Sequence, residues 1–185
     1  WFEEPIPPDN QKEMAKVARA TSIPIAAGER LTTKWEFQRL LEEGAASILQ
    51  MNLARVGGIT EAKKIASMAE AYHVQIAPHL YCGPVVGAAN IQLAACSPNF
   101  LIQESILDWK GFHSQILKKP IEWQDGYIIP PTAPGLGVEL DMVEVEKAHQ
   151  LYLQHGLGAR DDAIAMQYLI PNWKFNSKLP CMVRP

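Results

Sequence analysis

Short apolar runs recur along the N-terminal part of the chain, and each run ends at a polar or charged side chain. The residues that end these runs are Glu3, Glu29, Asn52, His79 and Glu104. By subtraction of these numbers, successive members are 26, 23, 27 and 25 residues apart. The runs do not alternate polar and apolar positions, which is typical of parallel strands that are buried on both faces. The pattern therefore predicts a series of short parallel strands.

Segments with helical periodicity lie between these apolar runs. In residues 33–43, Phe37, Leu40 and Leu41 fall on one face, and Gly44 is suited to end the helix. Similar patterns predict helices over residues 9–21, 60–72 and 83–96. Strands and helices that alternate at a nearly fixed interval indicate a β/α barrel, in which functional side chains meet at the carboxyl ends of different strands. The polar residues that end the runs are therefore predicted to form one site.

The pattern changes after residue 104. Residues 121–130 predict a hairpin that turns at Asp125 and Gly126. Residues 132–140 contain a loop and a short strand, and residues 141–150 predict a helix that Asp141 caps. We therefore divide the chain into a partial barrel, a hairpin and helix that pack on it, and a tail of unassigned structure, at residues 1–110, 111–150 and 151–185.

Composition excludes several classes of function. Lys and Arg number 17 and Asp and Glu 20, and the formal charge of −3 is spread without blocks, unlike the basic patch of a nucleic-acid-binding protein. No apolar run is long enough to span a membrane, and no signal-peptide pattern opens the chain. Cys82, Cys96 and Cys181 form neither a metal-binding pattern nor an even disulfide set. We predict reduced thiols, a cytoplasmic location, and no nucleic-acid or membrane partner.

The chain is short for the fold that its pattern predicts. It has 185 residues, whereas a complete barrel takes about 250. Its first residues, Trp1 and Phe2, already belong to a predicted strand. An open half-barrel exposes two sheet edges, and it also exposes apolar helix faces. We therefore expect the C-terminal part of a longer protein, and we expect association into a homo-oligomer.

Six short motifs occur in an order and at a spacing that are highly specific. They are EEP at 3–5, GER at 28–30, SILQMNLARVGGITE at 47–61, IAPH at 76–79, QES at 103–105 and PGLGVE at 134–139. Over about residues 1–150, the chain resembles the C-terminal barrel of the mandelate racemase and muconate lactonizing enzyme branch of the enolase superfamily. Within that branch it is most similar to the acid-sugar dehydratases of the galactonate type.

The resemblance implies an α/β fold. It corresponds to about the last five strands, four to eight, of the superfamily's (β/α)7β TIM-like barrel, followed by a hairpin and a helix. The N-terminal capping domain and the first barrel strands of the family have no counterpart in this sequence.

The resemblance also implies a metal site. Members of this branch abstract a proton next to a carboxylate, and Mg²⁺ stabilises the resulting enolate. Glu3 and Glu29 match two of the three metal ligands, and oxygen ligands of this kind are the ones that Mg²⁺ prefers. The third ligand, an aspartate on the preceding strand, has no counterpart here. A lone glutamate is ordinarily a solvated surface charge, but two that each close an apolar strand at the family's spacing favour ligation.

Three further polar residues match catalytic positions of the family. His79 corresponds to a catalytic histidine, suited to general acid or base work near neutral pH; the alternative is a buried histidine bonded to backbone. Glu104 matches a carboxylate that hydrogen-bonds the enolised substrate. Asn52 stands where many members carry an aspartate, and we expect its amide oxygen to accept from a ring N–H of His79. Arg30 and Arg55 are candidate contacts for a substrate carboxylate, with salt bridges on the barrel rim as the alternative.

These implications favour a Mg²⁺-dependent lyase that removes water from a small-molecule sugar acid and leaves a 2-keto-3-deoxy product. A racemase, an epimerase or a cycloisomerase shares the enolate step and is an alternative. A truncated barrel without catalytic activity is a second alternative, since we expect this portion by itself to be inactive.

Overall fold

The computed structural model describes residues 1–105, 112–156, 172 and 174. It divides the chain into two compact units, Trp1–Val145 and Glu146–Pro185. The helices and strands, in chain order, are β1 (Phe2–Glu3), α1 (Gln11–Ala20), β2 (Ile25–Ala27), α2 (Lys34–Glu42), β3 (Ile48–Leu49), α3 (Leu53–Val56), α4 (Gly58–Ala71), β4 (Gln75–Ile76), α5 (Pro84–Ala95), α6 (Phe112–Gln115), β5 (Trp123–Gln124), β6 (Tyr127–Ile128) and α7 (Met142–His155).

The first four strands form one parallel sheet in the order β1-β2-β3-β4. Glu3 of β1 pairs with Ala26 of β2. Ala26 in turn pairs with Ile48 of β3, and Ile48 pairs with Gln75 of β4. A single parallel bridge from Ile76 to Phe100 extends the sheet by one more segment. Four of the five predicted strands are thus confirmed, and the fifth is represented by this bridge. Because all the strands are parallel, their carboxyl ends meet at one edge, and this edge carries the site.

Side chains on the two faces of the sheet belong to different apolar clusters. Ile25, Ala27 and Leu49 point to the helices and join the main core. Ala26, Ile48 and Ala77 form a separate cluster on the opposite face. Since successive strand residues alternate between faces, the second cluster marks the concave interior that a barrel of this topology encloses.

The helices that connect these strands bury apolar residues against the sheet, and in α2 these are the residues that the periodicity predicted. In α2 the buried residues are Phe37, Leu40 and Leu41, and in α4 they are Ala62, Ile65, Ala66 and Ala69. Among these connections the single-turn helix α3 was not predicted, and Gly57 caps its end with a left-handed φ of 99°. Since α3 ends there, α4 begins at Gly58, two residues before the predicted start at residue 60.

The start of α2 is fixed by a capping box. The hydroxyl of Thr33 accepts a hydrogen bond from the backbone N–H of Glu36, whose carboxylate accepts from the backbone N–H of Thr33. Burial acts to raise the pKa of Glu36, but hydrogen bonds from Thr32 and Thr33 outweigh it and hold the pKa below 4.5. A lowered pKa means that the ionised carboxylate stabilises the fold above pH 4.5, and that this contribution is lost as pH falls through the folded pKa.

We expect Thr33→Ala to lower the free energy of unfolding by about 1 kcal/mol at neutral pH, because the first turn of α2 loses its side-chain acceptor. Thr33→Ser keeps the hydroxyl and is the matched control. Urea denaturation of both variants, followed by circular dichroism, measures the difference. Equal midpoints for the two variants would show that the cap contributes nothing.

The hairpin and the helix beyond the sheet follow the sequence prediction. Strands β5 and β6 are antiparallel, and Asp125 and Gly126 turn between them with φ values of 50° and 83°, as a tight hairpin turn requires. An antiparallel bridge joins Leu117 to Leu140. Asp141 caps α7 by accepting from the N–H of Val143 at 3.0 Å, and the helix runs to His155 rather than ending at residue 150.

Large apolar side chains are exposed at both ends of the sheet. Trp1 and Phe2 lie on the β1 side, and Leu101 and Ile102 follow the bridge at the other end. Association into a homo-oligomer stays a prediction. In the part of the chain that the structure describes, none of the helices combines the length and the apolarity needed to cross a membrane.

Candidate active site

A histidine lies between two carboxylates at the carboxyl edge of the sheet. His79 follows β4, and its Nε2 is 3.0 Å from Oε2 of Glu29, which follows β2. The same nitrogen is 3.9 Å from Oε2 of Glu104. Only 13% of the His79 side chain is exposed, against 30% for Glu29 and 38% for Glu104. Three of the predicted site residues, 25 to 75 positions apart by subtraction, are therefore neighbours in space.

Asn52 contacts the other ring nitrogen of this histidine. Its Nδ2 is 3.0 Å from Nδ1 of His79, while its Oδ1 accepts a hydrogen bond of 3.0 Å from the backbone N–H of Ala54. The predicted contact between Asn52 and His79 is present, but the predicted polarity is wrong. The oxygen is engaged by the first turn of α3, so the amide presents its N–H group to the ring.

Glu3 lies on the concave face of the sheet and has its own partners. Its Oε2 accepts from Nε2 of Gln50 at 3.0 Å and from the indole N–H of Trp1 at 3.1 Å. Gln50 is buried, and its Oε1 has no hydrogen-bond partner. Sequence reasoning missed Gln50, although it lies two residues after Ile48, which belongs to the cluster on the concave face.

Glu4 supports the loop that carries Glu29. Its carboxylate accepts from the N–H of Gly28 at 3.5 Å and lies 3.2 Å from Nε of Arg30, so it contacts the residues on both sides of Glu29. Burial raises the pKa of Glu4, with smaller contributions from the charges of Glu29 and Glu3 against the lowering effects of Gly28 and Arg30. Sequence reasoning missed Glu4, since nothing in the EEP motif distinguishes it from Glu3.

Glu104 is held in place by a backbone contact: its Oε2 accepts a hydrogen bond from the N–H of Leu80, the residue that follows His79. This contact ties the carboxylate to the end of β4. The adjacent side chain, Gln103, donates to the carbonyl oxygen of Pro78 at 3.1 Å, which joins the two chain segments a second time. Glu104 is thus positioned beside the imidazole by bonds that do not depend on the imidazole.

The sequence profile of the enolase C-terminal domain-like family matches residues 1–144. The chain belongs to this family. It is 42% identical over 150 residues to a D-galactonate dehydratase from Ralstonia nicotianae, covering 76% of this chain and 38% of that protein. A D-galactonate dehydratase from Variovorax paradoxus is 43% identical, with the same coverage. The chain therefore spans about two fifths of the length of these curated relatives.

Solved structures show the same relationship. A mandelate racemase/muconate lactonizing enzyme from Sulfitobacter sp. is 60% identical and superimposes with a TM-score of 0.76, over 80% of this chain and 37% of that one. The fold is thus that of the enolase-family C-terminal barrel, of which this chain supplies the strands described above.

The donor atoms at the sheet edge are of the kind that Mg²⁺ prefers in proteins. Glu3 and Glu29 offer carboxylate oxygens, and the unpartnered Oε1 of Gln50 lies on a side chain bonded to Glu3. Within residues 1–105, 112–156, 172 and 174, no three His, Cys, Asp or Glu side chains form a group that could hold a metal ion. Ligation by Glu3 and Glu29, facing a common centre, stays a prediction, and the donor set fits it in chemistry.

The two arginines differ in their surroundings. Arg30 makes ion pairs with Glu4 at 3.2 Å and with Glu29 at 3.7 Å, while 57% of its side chain is exposed. These are the contacts that the rim alternative describes, and they leave part of the guanidinium accessible. Arg55 lies on α3, three positions after Asn52, and is exposed. Contact of either residue with a substrate carboxylate stays a prediction.

Proposed function

We propose that the full-length protein is a Mg²⁺-dependent lyase that removes water from a sugar acid and forms a 2-keto-3-deoxy acid. The observation that carries this proposal is the position of His79, with Nε2 between the carboxylates of Glu29 and Glu104 at the carboxyl edge of the sheet. Such an arrangement suits a reaction in which a proton moves beside a stabilised negative charge. The identity of 42% to a D-galactonate dehydratase supports the choice of substrate class.

Each proposed site residue has a role in this reaction. When bound, Mg²⁺ stabilises negative charge that develops on the substrate carboxylate. Glu3 and Glu29 hold the ion, and Gln50 orients Glu3 through its hydrogen bond of 3.0 Å. His79 donates to an oxygen atom of the substrate or removes the proton from its carbon. Glu104 hydrogen-bonds the enolised form. Arg30 and Arg55 contact the carboxylate end of the substrate from the rim.

The experiment is a screen of the full-length protein against a library of sugar acids, with detection of 2-keto acids. We expect one or more substrates to lose water in the presence of Mg²⁺. Activity should disappear after treatment with EDTA and return when Mg²⁺ is added in excess. A Glu13→Gln variant, which changes an exposed carboxylate of α1, is the control and should match the wild type.

Two outcomes would contradict dehydration. Exchange of the proton next to the carboxylate with deuterium from D₂O, without formation of a keto acid, would point to a racemase or an epimerase. Absence of both reactions in a folded, Mg²⁺-binding protein would support a barrel without this activity.

A further inference from the structure

The side-chain amide of Asn52 has one orientation that satisfies its neighbours. Asn52 is 96% buried, since 4% of it is exposed. Backbone and imidazole groups contact opposite ends of its amide, and Sγ of Cys82, which can donate or accept, lies 3.6 Å from its nitrogen. The backbone N–H of Ala54 is a donor only, so the atom that faces it at 3.0 Å is the amide oxygen. The nitrogen therefore faces Nδ1 of His79 at 3.0 Å. The amide oxygen caps the N-terminus of α3. Rotating the amide by half a turn would therefore place its own N–H group against the backbone N–H of Ala54.

This orientation determines which nitrogen of His79 carries hydrogen. An amide nitrogen is a donor only, so Nδ1 of the ring must accept. A neutral imidazole has one N–H group, and that group is then on Nε2. The surroundings of Nε2 agree, because the group that it meets at 3.0 Å is Oε2 of Glu29, an acceptor. Oε2 of Glu104, at 3.9 Å, is a second acceptor on the same side.

We propose that Asn52 is a positioning residue that fixes His79 in the Nε2–H form, so that the ring presents a hydrogen-bond donor to the substrate rather than a base. The role toward substrate rests on the proposed function above, whereas the proton position rests on the contacts of Asn52 alone. With Nε2 already protonated, the ring cannot take a proton from carbon through that atom. It can donate to an oxygen of the substrate on which charge develops, as a neutral imidazole is able to do.

An aspartate at this position would have a different effect. A carboxylate only accepts, so it would bond an Nδ1–H, and because Oε2 of Glu29 lies 3.0 Å from Nε2, that nitrogen would keep its hydrogen as well. One change of amide to carboxylate, with almost no change in shape, therefore exchanges a neutral ring for a charged one. The oxygen that receives the N–H of Ala54 is retained in both cases, so the start of α3 has no reason to change.

The test is a two-bond ¹H–¹⁵N correlation spectrum of the full-length protein at pH 7, labelled with ¹⁵N at histidine. The spectrum distinguishes the two neutral forms and the charged ring, and the signals of His79 are identified by their absence in His79→Gln. We expect the Nε2–H pattern in the wild type and the charged-ring pattern, with hydrogen on Nδ1 as well, in Asn52→Asp. Asn10→Asp is the matched control, because Asn10 is also an N-cap, whose oxygen accepts from Glu13 N–H at 3.2 Å, and it should keep the wild-type pattern.

The possible outcomes separate this proposal from the proposed function. An Nδ1–H pattern or a charged ring in the wild type overturns the proposal, and that spectrum is decisive even if Asn52→Asp does not fold. With an active sugar acid, we expect Asn52→Asp to lower kcat about 10–100-fold with little change in KM. Full activity of a folded Asn52→Asp would overturn the role of the neutral Nε2–H form. An inactive wild type with the Nε2–H pattern would contradict the proposed function and leave the position of the proton established.

Discussion

Replacing His79 with alanine is expected to lower kcat on the best sugar-acid substrate by about 10²–10³, the usual loss when one hydrogen-bond donor to a developing negative charge is removed. The ring is nearly buried, with 13% exposed, and its Nε2 meets Glu29 at 3.0 Å. Substrate binding through the arginines and the metal should persist, so KM should change much less than kcat. Steady-state kinetics with Mg²⁺ at saturation measure both constants.

Two comparisons make the result specific. Isothermal titration with Mg²⁺ should give nearly the same affinity for His79→Ala and the wild type, because the imidazole is not a proposed ligand. His73→Asn changes an exposed histidine with a φ of 57°, a conformation that asparagine tolerates, and should retain full activity. Undiminished turnover by His79→Ala would show that the role given to this residue is wrong.

The strands and helices were predictable from the sequence because their burial is recorded in its pattern. Residues 25–27 and 48–49 are buried on both faces, so they form continuous apolar runs, and Phe37, Leu40 and Leu41 repeat at helical spacing because one side of α2 is in the core. The turn at Asp125 was predictable for a different reason. Few residues adopt positive φ, and Asp-Gly is a pair that does so readily.

The meeting of His79, Glu29 and Glu104 was also predictable, because parallel strands bring their carboxyl ends to one edge. The polarity of the contact between Asn52 and His79 was not. It depends on which atom the backbone N–H of Ala54 engages, and that contact exists only because Asn52 is the N-cap of α3. A helix of four residues leaves no periodic signal, so the sequence could show that the two side chains are close without showing which of them donates.

The roles of Gln50 and Glu4, which contact the proposed site residues, could be found only from the three-dimensional structure. Gln50 reaches Glu3 from two strands away, a separation of 47 positions. Glu4 contacts the segment around Glu29 from the neighbouring strand, 24 positions before Gly28. Neither residue ends an apolar run, so neither stands out by the criterion that identified the site. Their roles follow from the stagger of adjacent strands, which places residue 3 opposite residue 26.

Among the described glycines near the site, Gly28 is the one at which substitution by alanine is expected to lower the free energy of unfolding most. Gly28 has a φ of +132°, and a Cβ there would lie 2.7 Å from Cε1 of Phe37 and 3.3 Å from the backbone nitrogen of Gln50. The backbone conformation costs alanine about 1–3 kcal/mol. Forcing a methyl group against a fully buried ring adds about 1–3 kcal/mol. Since Glu29 is the next residue, any relaxation of this segment also displaces a proposed metal ligand.

Gly44→Ala separates the two causes of that loss. Gly44 also has a positive φ, +60°, but a Cβ there would meet nothing within 4 Å. It should therefore cost only the conformational part, about 1–2 kcal/mol. Chemical denaturation of both variants measures the difference, to which the contact with Phe37 contributes. A double-mutant cycle with Phe37→Leu provides the independent check: the shorter side chain removes the atoms that the methyl group strikes, so Gly28→Ala should cost less in that background. Equal losses of stability for Gly28→Ala and Gly44→Ala would contradict the close packing of Gly28 against Phe37 of α2. Only the methyl group added at residue 28 has a neighbour to displace.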